Sequence, residues 1–223
     1  MTTAFNEHEY LIKFASTLNF EEGRNSCLVA ALRDARRITG RNIDTGEREN
    51  YFLGADKVVL SPYSPIGLVN YLLILDMIGN IFTAKGKELD EVKNKIYSAL
   101  FCFSNLSEEE IHVVLALRNS LAHNYGLANK KEKKNGKLDQ RQTHKFILDN
   151  TTQAPLICFP KVPWDGQFST KTEDQSTTVG TIALMNLVEE VYHTLLTKLE
   201  KGTATLNLAG GIEELNSRFT VLY

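Results

Sequence analysis

The chain has 223 residues, of which 43% are hydrophobic and 23% are charged, and its formal net charge is −2. These values are typical of one globular domain with a sizeable core, and they exclude a uniformly basic nucleic-acid binder. A local basic patch remains compatible with them, because a binding site needs only its own surroundings to be positive.

The cysteines and the apolar segments indicate in which cellular compartment the protein is expected. Cys27, Cys102 and Cys158 are widely scattered and form no CxxC pair, which argues against a disulfide framework or a zinc ribbon and favours a reducing environment. The polar N-terminus lacks the apolar core of a signal peptide. The most apolar stretch, residues 66–82, is interrupted by polar residues, so a buried helix explains it better than a membrane span. We therefore expect a soluble, cytoplasmic protein with no membrane segment.

Helix signals organise the first half of the chain. Asn19 followed by Glu22 predicts a helix start, and that helix should run to about Ile38 and stop at Gly40. Residues 41–57 predict a polar loop. Two more helices are expected at about 65–82 and 88–103, where apolar residues recur at helical spacing. The arginines of the first helix and its loop predict a second basic group or plain solvated surface: Arg33, Arg36, Arg37 and Arg41.

The clearest start signal lies in the middle of the chain. Ser107 and Glu110 have the spacing of a capping box, and Leu106 with Ile111 has the spacing of a hydrophobic staple. The helix that they begin should run to about residue 123 or 124, and Gly126 is available to end it in the left-handed conformation.

The second half mixes patterns. Residues 128–145 are charged, and the runs HKFILD and LICFP after them predict the two strands of a hairpin. Helix is expected again from about Thr177 to Lys201, with Glu189 and Glu190 on a solvated face, and a short helix near residues 212–219 ends the chain. The predicted fold is mainly α: one domain over residues 1–223, a helical bundle with residues 128–175 inserted as a charged loop and β-hairpin before the last long helix.

Three polar residues near the end of the central helix share one arc. At about 100° per residue around the helix, Asn119 and His123 lie about 100° and 140° from Arg118. The small Ala122 lies between Arg118 and these two residues. The apolar residues of the same turns fall on the other side. Arg118, Asn119 and His123 should therefore point away from the core, and Asn119 and His123 should be neighbours.

This arc carries chemistry that can cleave RNA without a metal. The imidazole of His123 can move a proton, the permanent cation of Arg118 can hold a phosphate, and Asn119 can orient its neighbours. Cleavage needs both a base and an acid, and one helix supplies one histidine. Two copies related by a two-fold axis would supply both.

The segment Arg118-Asn119-x-x-x-His123 resembles the R-polar-x-x-x-H signature of the HEPN superfamily of helical domains. The resemblance implies a metal-independent endoribonuclease that acts as a homodimer on RNA, in toxin–antitoxin or phage-defence systems. With Tyr125 the pattern becomes R-x4-H-x-Y, which is similar to HepT-type toxins and implies a nucleotidyltransferase partner that modifies the tyrosine with AMP. The similarity covers residues 20–126 and the later long helix, whereas residues 128–175 depart from it.

Other features are weaker. The lysines that follow the helix, Lys130, Lys131, Lys133 and Lys134, are candidate RNA-phosphate contacts or simply part of a disordered, soluble loop. No other histidine has companions at metal-ligand spacing, so neither a metal nor another cofactor is predicted. The alternative to the nuclease is a non-catalytic helical module that uses the same face for dimerisation or partner binding.

Overall fold

The computed structural model describes residues 6–48, 65–87, 94–124, 126–169 and 173–222. They belong to two compact units, one formed by Met1–Ser104 with Val188–Tyr223 and the other by Asn105–Leu187. The described residues are about 52% helical and 18% strand, and they form sheets of three, two and four strands. The prediction of a mainly α helical bundle is therefore wrong, and the fold is mixed α/β.

The first unit alternates helices with short strands. Its helices are α1 (Glu7–Ser16), α2 (Cys27–Ile38), α3 (Pro65–Ile81), α4 (Lys95–Phe103), α7 (Gly211–Phe219) and the part of α6 (Thr181–Glu200) from Val188 on. Strands β1 (Asn19–Glu21), β2 (Arg24–Ser26) and β9 (Thr220–Leu222) form an antiparallel sheet in that order. Strands β3 (Phe82–Ala84) and β8 (Ala204–Leu206) form an antiparallel pair.

The N-cap of the helix predicted from Asn19 lies seven residues further along the chain than Asn19. Asn19 and its neighbours instead form β1, and Gly23, with φ of 74°, turns the chain into β2. The N-cap is Ser26, whose hydroxyl accepts from the amide of Val29. The predicted stop at Gly40 is confirmed: φ is 69°, and the amide of Arg41 donates to the carbonyl of Arg36 at 2.8 Å.

The core of the first unit forms where α3 packs against α2 and α4. The predicted start of α3 at Pro65 is confirmed, and most of its apolar residues are buried, whereas Ile66 and Leu73 are exposed. For α4, residues 95–103 of the prediction are helical, and residues 88–93 lie outside the described part of the chain. Fully buried side chains include Leu28, Leu32, Leu68, Leu72, Leu75, Ile78, Ile96 and Leu100.

A buried ion pair joins α2 to α6 within this unit. Arg36 donates from Nε and Nη2 to the two carboxylate oxygens of Glu189, at 3.0 and 2.6 Å, and the hydroxyl of Tyr71 donates to Glu189 at 2.8 Å. Burial raises the pKa of Tyr71 above its usual range, with the charge of Glu189 adding to the rise, so the phenol stays a donor. The predicted solvated face at Glu189 and the surface reading of Arg36 and Arg41 are wrong, since all three are buried.

The second unit is a helix with a four-stranded sheet. It contains α5 (Glu108–Asn124), β4 (Ala128–Asn129), β5 (His144–Asp149), β6 (Ile157–Cys158), β7 (Ser176–Gly180) and the residues of α6 up to Leu187. The strand order is β4-β5-β7-β6. Strands β5 and β7 run parallel, whereas β4 and β6 pair antiparallel with their neighbours.

The predicted hairpin is wrong, because β5 and β6 are not neighbours. Strand β7 lies between them, with Phe146 opposite Thr177 and Cys158 opposite Thr178. The helix predicted from Thr177 to Lys201 begins at Thr181, and residues 176–180 form β7 instead. Four of the five are buried, and a central strand that is covered on both faces shows no alternation of polar and apolar residues.

Among the helices of the described ranges, none combines the length and the apolar character needed to cross a membrane.

Candidate functional site

Helix α5 fixes the position of the three site residues. Its predicted capping box is confirmed: the amide of Ser107 donates to Glu110 Oε2 at 2.8 Å, and the amide of Glu110 donates to Ser107 Oγ at 3.3 Å. Three glutamates in the first turn favour the positive end of the helix dipole. The apolar side is fully covered, with Ile111, Val114, Leu117 and Leu121 buried. The capping box thus fixes where α5 begins, and the buried apolar side fixes how the helix is rotated about its axis.

Arg118 is the centre of the site. Its Nη1 lies 3.3 Å from Asn119 Oδ1 and 3.5 Å from His123 Nε2. His123 is exposed, and Arg118 and Asn119 are half-buried. The structure therefore brings the three predicted residues together on one accessible face. The sequence favoured Asn119 and His123 as the touching pair, whereas the long guanidinium bridges both of them.

In the contact between Arg118 and His123, the donor and the acceptor can be assigned from the chemistry of the two groups. A guanidinium carries donors only, so the imidazole nitrogen that faces it at 3.5 Å must be the acceptor. An unprotonated ring nitrogen next to a permanent cation is what a general base for a hydroxyl near a phosphate requires.

The chain after the helix folds back on it. The amide of Gly126 donates to the carbonyl of Ser120 at 3.3 Å, and the hydroxyl of Ser120 donates to the carbonyl of Gly126 at 2.6 Å. Tyr125, the candidate for modification, lies outside the described residues.

The lysine-rich segment is an ordered turn. The amide of Asp139 donates to the carbonyl of Lys131 at 2.8 Å, that of Lys133 to Lys137 at 2.8 Å, and Gly136 has φ of 77°. The four candidate phosphate contacts, Lys130, Lys131, Lys133 and Lys134, are exposed. Lys130 Nζ lies 3.5 Å from Glu132, and its aliphatic stem lies against Gly166. Their role in binding phosphate stays a prediction.

A groove in the same unit was missed by the sequence reasoning. It has a volume of about 200 Å³, and we call it the Trp164 groove. Trp164, which belongs to the predicted insertion of residues 128–175, is only 1% exposed. The signal was the single tryptophan among three prolines, at positions 155, 160 and 163. The lining includes His144, Phe159, Pro160, Pro163, Trp164 and Gln175.

His144, at the base of the groove, is held neutral. Its Nε2 lies 3.1 Å from the carbonyl of Arg141 and therefore donates, which leaves Nδ1 to accept from the hydroxyl of Thr177 at 3.0 Å. Burial lowers the pKa of His144, His112 adds to the lowering, and the Arg141 carbonyl and Glu109 oppose it. The folded state thus binds a proton at lower pH than the unfolded chain does.

This lowered pKa predicts a loss of stability in acid. Because the unfolded histidine binds a proton at about pH 6.5, the free energy of unfolding should fall as pH drops below that value towards the pKa of the folded state. Replacement His144→Gln keeps a donor for the Arg141 carbonyl but cannot titrate, so the fall should be shallower. Urea unfolding between pH 8 and pH 5 measures it. The control His193→Gln changes an exposed histidine of α6 and should behave as wild type does. Equal acid slopes for His144→Gln and wild type would contradict the assignment.

Across the described residues, no group of three His, Cys, Asp or Glu side chains is arranged as metal ligands. In comparisons with family models, with curated proteins and with solved structures, the chain matches none. The geometry of α5 and that of the groove are therefore the observations from which a function can be inferred.

Proposed function

We propose that this protein is a metal-independent endoribonuclease of the HEPN type that works as a homodimer. The observation that carries the proposal is the 3.5 Å approach of Arg118 Nη1 to His123 Nε2 on an exposed face of α5. A helix needs neither residue there for its core, because the apolar side is already closed by the buried leucines and valines. A cation and an acceptor imidazole held together at the surface are suited to a phosphodiester.

The proposed reaction uses each group once. His123 of one protomer takes the proton of a ribose 2′-OH, and the oxygen attacks the adjacent phosphorus. The bond from phosphorus to the 5′ oxygen breaks, and the His123 of the second protomer, which enters the step as the imidazolium, supplies the proton to that leaving oxygen and becomes neutral. The products are a 2′,3′-cyclic phosphate and a free 5′-OH. Arg118 balances the charge on the phosphate oxygens during the displacement.

Asn119 is a positioning residue in this scheme. Its Oδ1 accepts from Arg118 Nη1 at 3.3 Å, the same nitrogen that faces His123. The amide therefore limits where the guanidinium can lie relative to the imidazole. The dimer requirement follows from stoichiometry, since acid and base act in the same displacement and each α5 provides one His123.

The direct test is RNA cleavage in EDTA. Wild-type protein should cleave a mixed RNA substrate and leave 2′,3′-cyclic phosphate ends, and His123→Ala should lose at least about a hundredfold in rate, the usual contribution of a general acid or base. The matched control is His193→Ala, which removes another exposed histidine and should cleave like wild type. Absence of cleavage by wild type, or undiminished cleavage by His123→Ala, would end the proposal. If Arg118 and His123 substitutions changed only self-association, the face would be an interaction surface.

Subunit mixing tests the composite site separately. If one active centre needs both copies of His123, a heterodimer of wild type with His123→Ala is inactive. Under exchange conditions, cleavage by a fixed total of protein should then fall with the square of the wild-type fraction. A fall in simple proportion to the wild-type fraction would show that each protomer works alone. The same titration with His193→Ala should leave the rate unchanged.

A further inference from the structure

The Trp164 groove has one wall of rings. Trp164, Pro160 and Pro163 line it, together with Phe159, whose side chain is exposed at 41%. The indole is fixed in place, since its Nε1 donates to the carbonyl of Gln167 at 3.2 Å and its ring meets Phe168 edge-on at a centroid distance of 5.3 Å. Flat apolar surfaces of this kind favour a flat ligand, and aromatic side chains are the usual stacking partners of unpaired bases.

The lining of the groove also includes an acceptor without a donor. Gln175 lines the groove, and its Oε1 is buried with no hydrogen-bond donor among the described residues. Such an oxygen is destabilising, because burial removes it from water without supplying another donor. The neighbouring His144 cannot help, because its Nε2 proton goes to the Arg141 carbonyl and its Nδ1 is an acceptor. A ligand with an N–H group would satisfy Gln175.

The volume of the groove and the arginine in its lining further limit the class of ligand that it can bind. A volume of about 200 Å³ is below the range of about 300–1,000 Å³ that holds drug-sized molecules, so one ring system fits better than a chain of several. Arg141 also lines the groove and has an exposed side chain, with its nearest carboxylates at 3.6 Å (Asp139) and 3.9 Å (Glu108). Ion pairs as long and exposed as these are weak, so the guanidinium is available to a phosphate.

We propose that the Trp164 groove binds a single nucleobase, which packs against the accessible rings of Phe159, Pro160 and Pro163 and donates an N–H to Gln175 Oε1 while Arg141 meets its phosphate. Every nucleobase presents an N–H group on its pairing edge, so the requirement at Gln175 can be met by any of the four. The base can belong to a free nucleotide or to single-stranded RNA. The site is distinct from that of the proposed ribonuclease: Glu109 in its lining lies 14 residues before His123 on α5, about 21 Å along the helix axis.

Trp164 itself is the reporter for the test. It is the only tryptophan of the 223 residues, so its fluorescence reports on the groove alone. The full-length His123→Ala protein, which would not consume RNA, is titrated with AMP, GMP, CMP and UMP, with a short single-stranded RNA, and with ribose 5-phosphate. Calorimetry on the same samples provides an independent Kd. Binding is thus measured without any reference to cleavage.

The variants probe the two sides of the groove. Gln175→Leu removes the acceptor at nearly constant side-chain volume and should weaken nucleotide binding about tenfold. The variant should still fold, because the oxygen that it removes is buried without a donor in wild type. Gln153→Leu, the same change at an exposed position of the loop before β6, should bind like the parent protein. Phe159→Ser opens the ring wall from its exposed side and should weaken binding by a similar factor, so the test does not depend on one variant.

The outcomes separate the sources of the base. Saturable binding of mononucleotides that weakens in Gln175→Leu supports the inference and identifies free nucleotides as ligands. Binding of the RNA alone, with the same dependence on Gln175, supports it with RNA as the source. Ribose 5-phosphate binding as tightly as the nucleotides, equal Kd values for Gln175→Leu and Gln153→Leu, or no saturable binding of any probe would overturn it. None of these results depends on whether the wild type cleaves RNA.

Discussion

Replacing Arg36 with methionine should lower the free energy of unfolding by about 3–5 kcal/mol, because it leaves the carboxylate of Glu189 buried without its cation. Both side chains are almost entirely buried, at 4% and 8% exposure, and two parallel N–H···O bonds join them. Chemical denaturation followed by circular dichroism measures the loss.

The loop after α2 should loosen in the same variant. Arg36 Nη1 also donates to the carbonyls of Ile43 and Asp44, at 3.1 and 2.9 Å. Methionine has a similar length but no donors, so both carbonyls lose a partner. We therefore expect faster amide hydrogen exchange across residues 42–47 than in wild type.

Two further variants show whether the burial of charge is the cause. Arg37→Met removes the neighbouring arginine, an exposed residue whose Nη1 lies 3.2 Å from Asp34, and should cost less than about 1 kcal/mol. The double variant Arg36→Met/Glu189→Leu removes both buried charges and should regain most of the stability lost in Arg36→Met. If the double variant were less stable than Arg36→Met alone, the explanation by an isolated charge would be wrong.

The second large effect is expected at Gly79, where α3 and α4 touch backbone to backbone. A Cβ at this position would overlap the carbonyl oxygen of Lys95 and lie 2.8 Å from the amide nitrogen of Ala99. Neither atom can move without shifting α4. Although alanine is the better helix former by about 1 kcal/mol, Gly79→Ala should destabilise the protein by about 3 kcal/mol, the upper end for overpacking. Thermal unfolding measures the effect.

A second glycine of α3 supplies the control. A Cβ on Gly67 would lie 2.5 Å from the Cγ2 methyl of Thr39, which is a side-chain atom. The double variant Gly67→Ala/Thr39→Ser removes that methyl and keeps the hydroxyl, which donates to the carbonyl of Ala35 at 2.8 Å. It should stay within about 1 kcal/mol of wild type. A loss at Gly79 no larger than that of this control would show that the helices can separate at little cost.

Local signals sufficed for the elements that carry the candidate site. The capping box at Ser107, the length of α5 and the shared face of Arg118 and His123 all depend on residues within a few turns of one another. Periodicity and caps determine such features, since helical hydrogen bonds join residues four apart. The site could therefore be placed from the sequence alone, as could the start of α3 and the stop at Gly40.

Tertiary structure decided whatever depends on distant residues. Strand β7 separates β5 from β6, Glu189 turns inward to an arginine 153 positions away, and Trp164 closes a groove with Gln175. The sequence contains these residues but no local pattern that pairs them, because a parallel strand neighbour or a buried ion pair is chosen by the packing of the whole unit. The chain by itself thus determined α5 and the shared face of Arg118, Asn119 and His123, and long-range packing determined the sheets, the buried charges and the groove.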